Sequence, residues 1–112
     1  MYIYDFTRKS LYELLSQNEM FLARTKGIGS ISAEDAIDFG VSGPALRAAG
    51  VIEDVRLSEP YGIYDRFDFE IPVGTNGDTW DRYWCRIEEM RQSVHIIEQA
   101  LEQMEPGVIQ AP

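Results

Sequence analysis

The chain has 112 residues, 45% of them hydrophobic, with 19 acidic residues against 10 basic ones and a net charge of −9. That length suits one domain without room for a second core, and the hydrophobic fraction excludes a disordered chain. The acid excess repels phosphate backbones and anionic bilayers, which argues against nucleic acid as a direct partner.

No apolar run approaches the roughly 20 residues of a membrane span, and no basic-then-apolar leader opens the sequence. The single cysteine, Cys85, excludes an internal disulfide or a cysteine-rich metal site and makes cytosolic exposure the expectation. Two Trp, six Tyr and five Phe are many for a chain that buries only about 65% of its unfolded surface. They point to burial against something else.

Residues 1–9 show no clear period. Ser10 and Glu13 have the spacing of a capping box, predicting a short helix through Gln17 with Leu11, Leu14 and Leu15 inward. Met20, Phe21 and Leu22 continue helically to about Lys26, where Gly27 supplies a stop. Gly27-Ile28-Gly29-Ser30-Ile31 is too rich in glycine for a helix and reads as an extended loop. Ser32 then caps a helix with Glu34 and Asp35 in its first turn, ending at Gly40. Ser42-Gly43-Pro44 starts a third short helix, which Gly50 ends.

Residues 51–78 read as non-helical, broken by Pro60, Gly62, Pro72, Gly74 and Gly77. Within them Phe67-Asp68-Phe69-Glu70-Ile71 alternates apolar and acidic, the pattern of an edge strand stopped by Pro72. Asn76-Gly77 marks a tight turn.

Asp78 is a good N-cap for the last element. Beyond it Trp80, Tyr83, Ile87, Met90, Val94, Ile97, Leu101 and Met104 recur at steps of 3 and 4, which only a helix places on one side. Such a helix, about 40 Å long and stopped by Pro106-Gly107, outreaches anything else in the chain. Its partner helices are expected from another segment or another chain. Glu98, Glu102 and Glu105 crowd its end against the helix dipole, which a solvated face tolerates and a basic partner surface would use.

Chemistry is sparse. His95 is the only histidine and has no ligand-spaced neighbours, so it reads as packed or surface. Cys85 reads as a buried inert thiol. Gly27-Ile28-Gly29 lacks the rest of a dinucleotide fingerprint, and no P-loop or hydrolase elbow is present. Glu88 and Glu89 are adjacent on a helix and diverge. Arg47 and Arg56 carry planar forks that salt bridges to Glu53, Asp54 or neighbouring helices would occupy. Tyr61 and Tyr64, near Arg66, read as packed loop aromatics. From the residues alone this is a helical, partner-seeking piece without an assembled active site.

Longer stretches are more specific. Asn18-Glu19-Met20-Phe21-Leu22-Ala23-Arg24-Thr25-Lys26-Gly27-Ile28-Gly29, Ser42-Gly43-Pro44-Ala45-Leu46-Arg47-Ala48-Ala49-Gly50, Val73-Gly74-Thr75-Asn76-Gly77-Asp78 and Arg86-Ile87-Glu88-Glu89-Met90-Arg91-Gln92-Ser93 follow one another in order. Together, over about residues 11–112, they resemble the 49 kDa subunit family of respiratory complex I, NADH:quinone oxidoreductase. At greater distance they are similar to the large subunit of nickel–iron hydrogenases.

The resemblance implies a mainly α fold of that hydrogenase-like type, with the long C-terminal helix as a bundle member, short helices and a small β element. The chain would be an internal portion of that 49 kDa protein's domain, matching poorly at residues 1–9. It implies a place in the peripheral arm, on the cytoplasmic side of a bacterial plasma membrane, beside the subunit carrying the terminal iron–sulfur cluster. An isolated chain would be soluble. The complete 49 kDa protein would help form the quinone cavity of a complex that uses FMN, iron–sulfur clusters and quinone to drive proton translocation.

No catalytic residue, cofactor ligand or metal ligand is carried over, because the histidine and tyrosine expected at the quinone head group lie upstream of this segment. The signature positions Gly43, Pro44, Arg47, Gly50, Arg56, Tyr61, Tyr64, Gly77, Asp78, Arg82, Arg86, Glu89 and Arg91 are read as structural or interface residues. Departures are Ala45 and Ala49, where the family signature has methionine and serine, the much shorter chain, and the missing nickel-binding cysteine pairs. The poorly matching start suggests an artificial boundary or a fragmentary reading frame. The isolated chain is expected to be marginally folded, inactive and exposed along the Trp80–Met104 seam. Competing readings are a fragment of a coenzyme F420 dehydrogenase or energy-converting hydrogenase, and a helical adaptor with no redox role.

Overall fold

The structure, a computed structural model, describes residues 12–107. A single π-helical turn, Tyr12–Ser16, precedes α1 (Glu19–Thr25), α2 (Ala33–Asp38), α3 (Gly43–Ala48), the one-turn α4 (Val55–Ser58), a 3-10 turn at Tyr64–Arg66 and the long α5 (Thr79–Glu102). The mainly helical expectation holds, and no strand occurs among the described residues.

Local chemistry explains most boundaries. Asn18 caps α1 by accepting from the Met20 and Phe21 amides, which splits the helical stretch predicted to run from Ser10 to Lys26 into two pieces. Ser32 accepts from the Asp35 amide at the start of α2, as its sequence predicts. Proline occupies the first turn of α3 without a side-chain cap from Ser42. The one-turn α4 interrupts a region expected to lack helix, because the Asp54 carboxylate takes the Arg56 amide and nucleates the turn.

Two further expectations fail. Leu14 and Leu15 are 70% and 38% exposed rather than inward, since the π turn rotates them off the chain's own core. The Ser10–Glu13 capping box lies outside the described residues. The second failure is the strand at 67–71. Its alternation is correct in burial, with Phe69 buried while Asp68 and Glu70 are exposed. Its partner, however, is a helix. The Asp68 amide donates to Gln99 Oε1 at 2.8 Å, Gln99 Nε2 donates back to the Asp68 carbonyl at 2.6 Å, and the Glu70 amide donates to Gln92 Oε1 at 3.0 Å. Two glutamines seven residues apart, two turns along α5, stand in for a neighbouring strand.

The small core contains Ala36, Leu46 and Ala49 from α2 and α3, with Ile31, Val41 and Val51 packed around it. α3 lies against α5, and the loop before α5 is cross-linked through its backbone to the end of α3 and to the 27–31 loop. Gly74 N–H donates to the Arg47 carbonyl (2.9 Å), Gly77 N–H to Ala48 (3.0 Å), Ile31 N–H to Gly77 (3.1 Å) and Thr79 N–H to Ile28 (3.0 Å). This approach requires glycine. Gly77 has φ +63°, and a Cβ there would collide with the Ile31 carbonyl. At Gly74 a Cβ would meet the Ala48 carbonyl at 2.6 Å.

α5 presents two rows. Asp81, Cys85, Glu89, Gln92, Ile96 and Gln99, at steps of 4, 4, 3, 4 and 3, are all buried or half-buried. The apolar seam predicted from sequence lies on nearly the opposite side. Its start is covered by the chain itself, where Phe21 of α1 meets Trp80 and Tyr83 edge-on at ring distances of 6.1 and 5.0 Å. Farther along, Met90, Ile97, Leu101 and Met104 are 42, 56, 63 and 69% exposed. The helix ends at Glu102 with Gln103 as its cap, short of the predicted Pro106-Gly107 stop.

Candidate functional site

Charged side chains gather where α3, α4 and α5 meet. The last turn of α3 carries Arg47, whose side chain is held inward beside the buried Leu46 and Ala48. Its Nε donates to Glu89 Oε1 at 2.7 Å, and Nη2 donates to the same oxygen. Nη1 donates to the Glu53 carbonyl at 2.8 Å and lies 3.8 Å from Asp54 Oδ2. All three donor nitrogens of the fork are thereby used to join three elements.

Asp54 is buried and held as a carboxylate by a second arginine. Arg56 donates from Nε to Oδ1 at 2.9 Å and from Nη2 to Oδ2 at 2.6 Å. The hydrogen bonds from Arg56 depress the Asp54 pKa against the opposing pull of burial, and the same pairing raises that of Arg56. The Arg56 guanidinium also sits 4.8 Å over the Phe69 ring and 5.9 Å from that of Tyr64. Tyr61 packs edge-on against Tyr64 at 4.9 Å. The cation beside these tyrosines is therefore Arg56, whereas Arg66, the neighbour in sequence, is exposed. A cleft of about 380 Å³ opens beside this cluster between Gly43, Asp54, Arg56 and Tyr61.

The start of α5 forms a second knot. Asp78 is buried; its Oδ1 accepts the Asp81 amide at 2.8 Å and its Oδ2 the Gly27 amide at 2.7 Å. Asp81 Oδ2 accepts the Thr75 and Asn76 amides at 2.9 and 2.6 Å. Arg82 completes the knot, donating to the Gly77 carbonyl at 2.7 Å, the Gly29 carbonyl at 3.0 Å and Thr79 Oγ1 at 2.9 Å. The glycine-rich loop 27–31 is thus a structural strap tied to α5, with the Gly27 amide and the Ile28 and Gly29 carbonyls bonded to residues at the start of that helix.

The signature residues fall into these two groups and a remainder. Arg47, Arg56, Tyr61, Tyr64 and Glu89 belong to the first, with Gly43 and Pro44 opening α3 and Gly50 following it. Gly77, Asp78 and Arg82 belong to the second. Arg86 and Arg91 join neither: Arg86 donates along the helix to the Arg82 carbonyl, and Arg91 pairs with Glu88. Glu88 and Glu89 diverge as expected, toward Arg91 and Arg47 respectively.

Asp81, Gln92 and Gln99 escaped the sequence reading of sites. The recurrence of glutamine after two helical turns, opposite an alternating acidic segment, is the signal that could have found the two glutamines. Cys85 is fully buried, and burial raises its thiol pKa. His95 is exposed. Among the described residues no three His, Cys, Asp or Glu side chains are placed to hold a metal ion. Nor is any helix among them long and apolar enough to cross a membrane. What this arrangement can do chemically is hold elements together: its arginines and buried carboxylates are engaged with one another and with backbone.

Comparison with known proteins decides the family. The model of the respiratory-chain NADH dehydrogenase 49 kDa subunit matches residues 3–112. The chain belongs to this 49 kDa family. It is 58% identical over 96 residues to the NADH-quinone oxidoreductase D-subunit of Myxococcus xanthus, covering 86% of this chain and 23% of that protein. It is 52% identical over 110 residues to the corresponding protein of Bacillus mycoides, covering 90% of this chain and 30% of the relative. The chain therefore spans less than a third of the length of the 49 kDa relatives it matches. Their names do not favour a coenzyme F420 dehydrogenase or an energy-converting hydrogenase.

Proposed function

We propose that this chain is an internal structural segment of the quinone-site-forming subunit of NADH:quinone oxidoreductase. In that complex electrons pass from NADH through FMN and iron–sulfur clusters to quinone, and the reaction drives proton translocation. The observation that carries the reading is the family match along residues 3–112. The segment's contribution is rigidity: Arg47 ties α3 to Glu89 of α5 and to the Glu53 carbonyl, Gln92 and Gln99 hold the 67–71 backbone against α5, and Arg82 straps the 27–31 loop to its start.

On this reading the fold is part of a hydrogenase-like large subunit. Its neighbours include the subunit bearing the terminal iron–sulfur cluster, and the assembly sits peripherally on the cytoplasmic face of a bacterial plasma membrane. FMN, the clusters and quinone are held by the assembly, with no ligand drawn from this segment.

The test is a chimera. The matched region of the Myxococcus xanthus 49 kDa relative is replaced by this sequence, and NADH oxidation sensitive to quinone-site inhibitors is measured in membranes. The chimera is expected to assemble and to retain that activity, while the purified 112-residue chain shows none. A chimera that fails to assemble, one that assembles but is silent, or an isolated chain that reduces quinone would contradict the proposal.

A further inference from the structure

We propose that Asn76–Gly77 is a self-modification site that the fold holds shut: the folded turn withholds the Gly77 nitrogen, and a chain left open deamidates there and cannot rebuild the turn. The reaction needs only water. The Gly77 amide nitrogen gives up its proton and attacks the side-chain carbonyl carbon of Asn76, closing a five-membered succinimide. The carboxamide nitrogen takes a proton back from solvent and leaves as ammonia. Water then opens the ring at either carbonyl. One product is aspartate; the other is isoaspartate, whose main chain runs through the former side chain and is one methylene longer. Glycine after asparagine favours the closure, because no side chain shields the attacking nitrogen.

The structure keeps the two reacting groups apart in access. Asn76 is exposed, and it lines an open cleft of about 520 Å³ with Lys26 and Ser30, so water reaches it. Gly77 is buried and held from both ends. Its N–H donates to the Ala48 carbonyl at 3.0 Å, and its carbonyl accepts from the Ile31 amide at 3.1 Å and from Arg82 Nη1 at 2.7 Å. Loss of the amide proton must first break the bond to Ala48. The Asp81 carboxylate, which holds the Thr75 and Asn76 amides, sets a negative charge nearby and opposes the amide anion.

The turn cannot shed this hazard by exchanging its glycine. Gly77 has φ +63°, and a Cβ there would collide with the Ile31 carbonyl. The close approach that joins α3, the 27–31 loop and α5 therefore creates the labile pair as well as guarding it. An extra methylene ahead of Gly77 puts its amide and carbonyl out of register with Ala48 and Ile31, so an isoaspartyl chain loses the junction. Asn18, the second asparagine, is an internal reference: Glu19 follows it, and its side-chain oxygen accepts from the Met20 and Phe21 amides.

The purified chain is aged in mildly alkaline buffer with and without guanidinium chloride, and peptide mapping by mass spectrometry follows conversion to aspartate and isoaspartate. Hydrogen exchange at the Gly77 amide is measured in the native buffer. In denaturant Asn76 is expected to convert while Asn18 stays intact. In native buffer conversion should be slower by about the factor by which the Gly77 amide is protected, roughly tenfold or more. Arg82→Ala should lower that protection and speed native conversion together. After denaturant is removed, the aged chain should recover neither Gly77 protection nor its helicity by circular dichroism, whereas Asn76→Ser taken through the same ageing recovers both. Any of four results would overturn the proposal: no isoaspartate at position 76 in denaturant, a Gly77 amide that exchanges freely in the native chain, native conversion out of step with that exchange, or aged parent and Asn76→Ser chains that refold alike.

Discussion

Arg47 and Glu89 come from elements 42 residues apart and meet where little water reaches, with side chains 9% and 20% exposed. Removing one partner strands the other charge, and Arg47→Ala is expected to cost about 3 kcal/mol in urea unfolding. Arg47→Lys should recover little, because one ammonium cannot serve both Glu89 and the Glu53 carbonyl in the geometry of the fork. Asp54 supplies a pH signature. Its folded pKa is depressed, chiefly by hydrogen bonds from Arg56, so the stability it contributes is present above the unfolded value near 3.8. That contribution is lost as pH falls through the folded pKa. The stability gap between the parent chain and Asp54→Asn should therefore shrink below pH 3.8, which urea titrations at stepped pH would reveal. A gap constant down to about pH 2 would contradict the pairing. Cys85 works in the other direction: burial raises its pKa and denies access, so thiol reagents should label it slowly in the native chain and rapidly in urea.

At the scale of elements, the glutamine pair on α5 replaces a missing strand. Gln92→Ala and Gln99→Ala should each cost about 1 kcal/mol and speed hydrogen exchange at the Glu70 and Asp68 amides respectively. Unchanged exchange at those amides would show that the side chains are not what holds the segment. Gly77→Ala combines a left-handed backbone with a collision at Ile31 and should lower the thermal midpoint more than either glutamine change. These elements also show what a sequence can and cannot convey. The starts at Ser32 and Asp78 and the row of eight apolar residues were legible because capping and periodicity are local chemistry. The alternation at 67–71 was legible too, but a period-2 pattern reports only which residues are buried. Whether a strand or a pair of glutamines takes the backbone donors depends on a contact with residues 22–31 positions away. The same limit hid the choice between Arg56 and Arg66 as the cation beside Tyr64.

For the whole molecule, shape carries the argument. The radius of gyration is 17.2 Å, against about 13 Å for a compact domain of this length, and the longest dimension is 55 Å. Among the described residues the buried apolar side chains are six, four of them alanine or cysteine, while large side chains such as Phe39, Ile52 and Leu101 are exposed. Such a chain is expected to melt broadly, with a midpoint that shifts with concentration, as calorimetry would show; a sharp, concentration-independent transition would contradict it. Family membership was legible in the signature stretches, and so was the apolar row of α5. The direction in which α5 turns was not, because a row of hydrophobic residues does not say whether its cover lies in the same chain.

The most direct measurement is thiol reactivity along α5, with Ile96→Cys, Ile97→Cys and Leu101→Cys introduced singly, each read in the isolated chain and in the assembled chimera. Positions 97 and 101 should react quickly in the isolated chain and slowly after assembly, with position 96 slower than both in the isolated chain. Protection of 97 and 101 in the isolated monomer, or continued reactivity in the assembly, would contradict an outward face awaiting its partner.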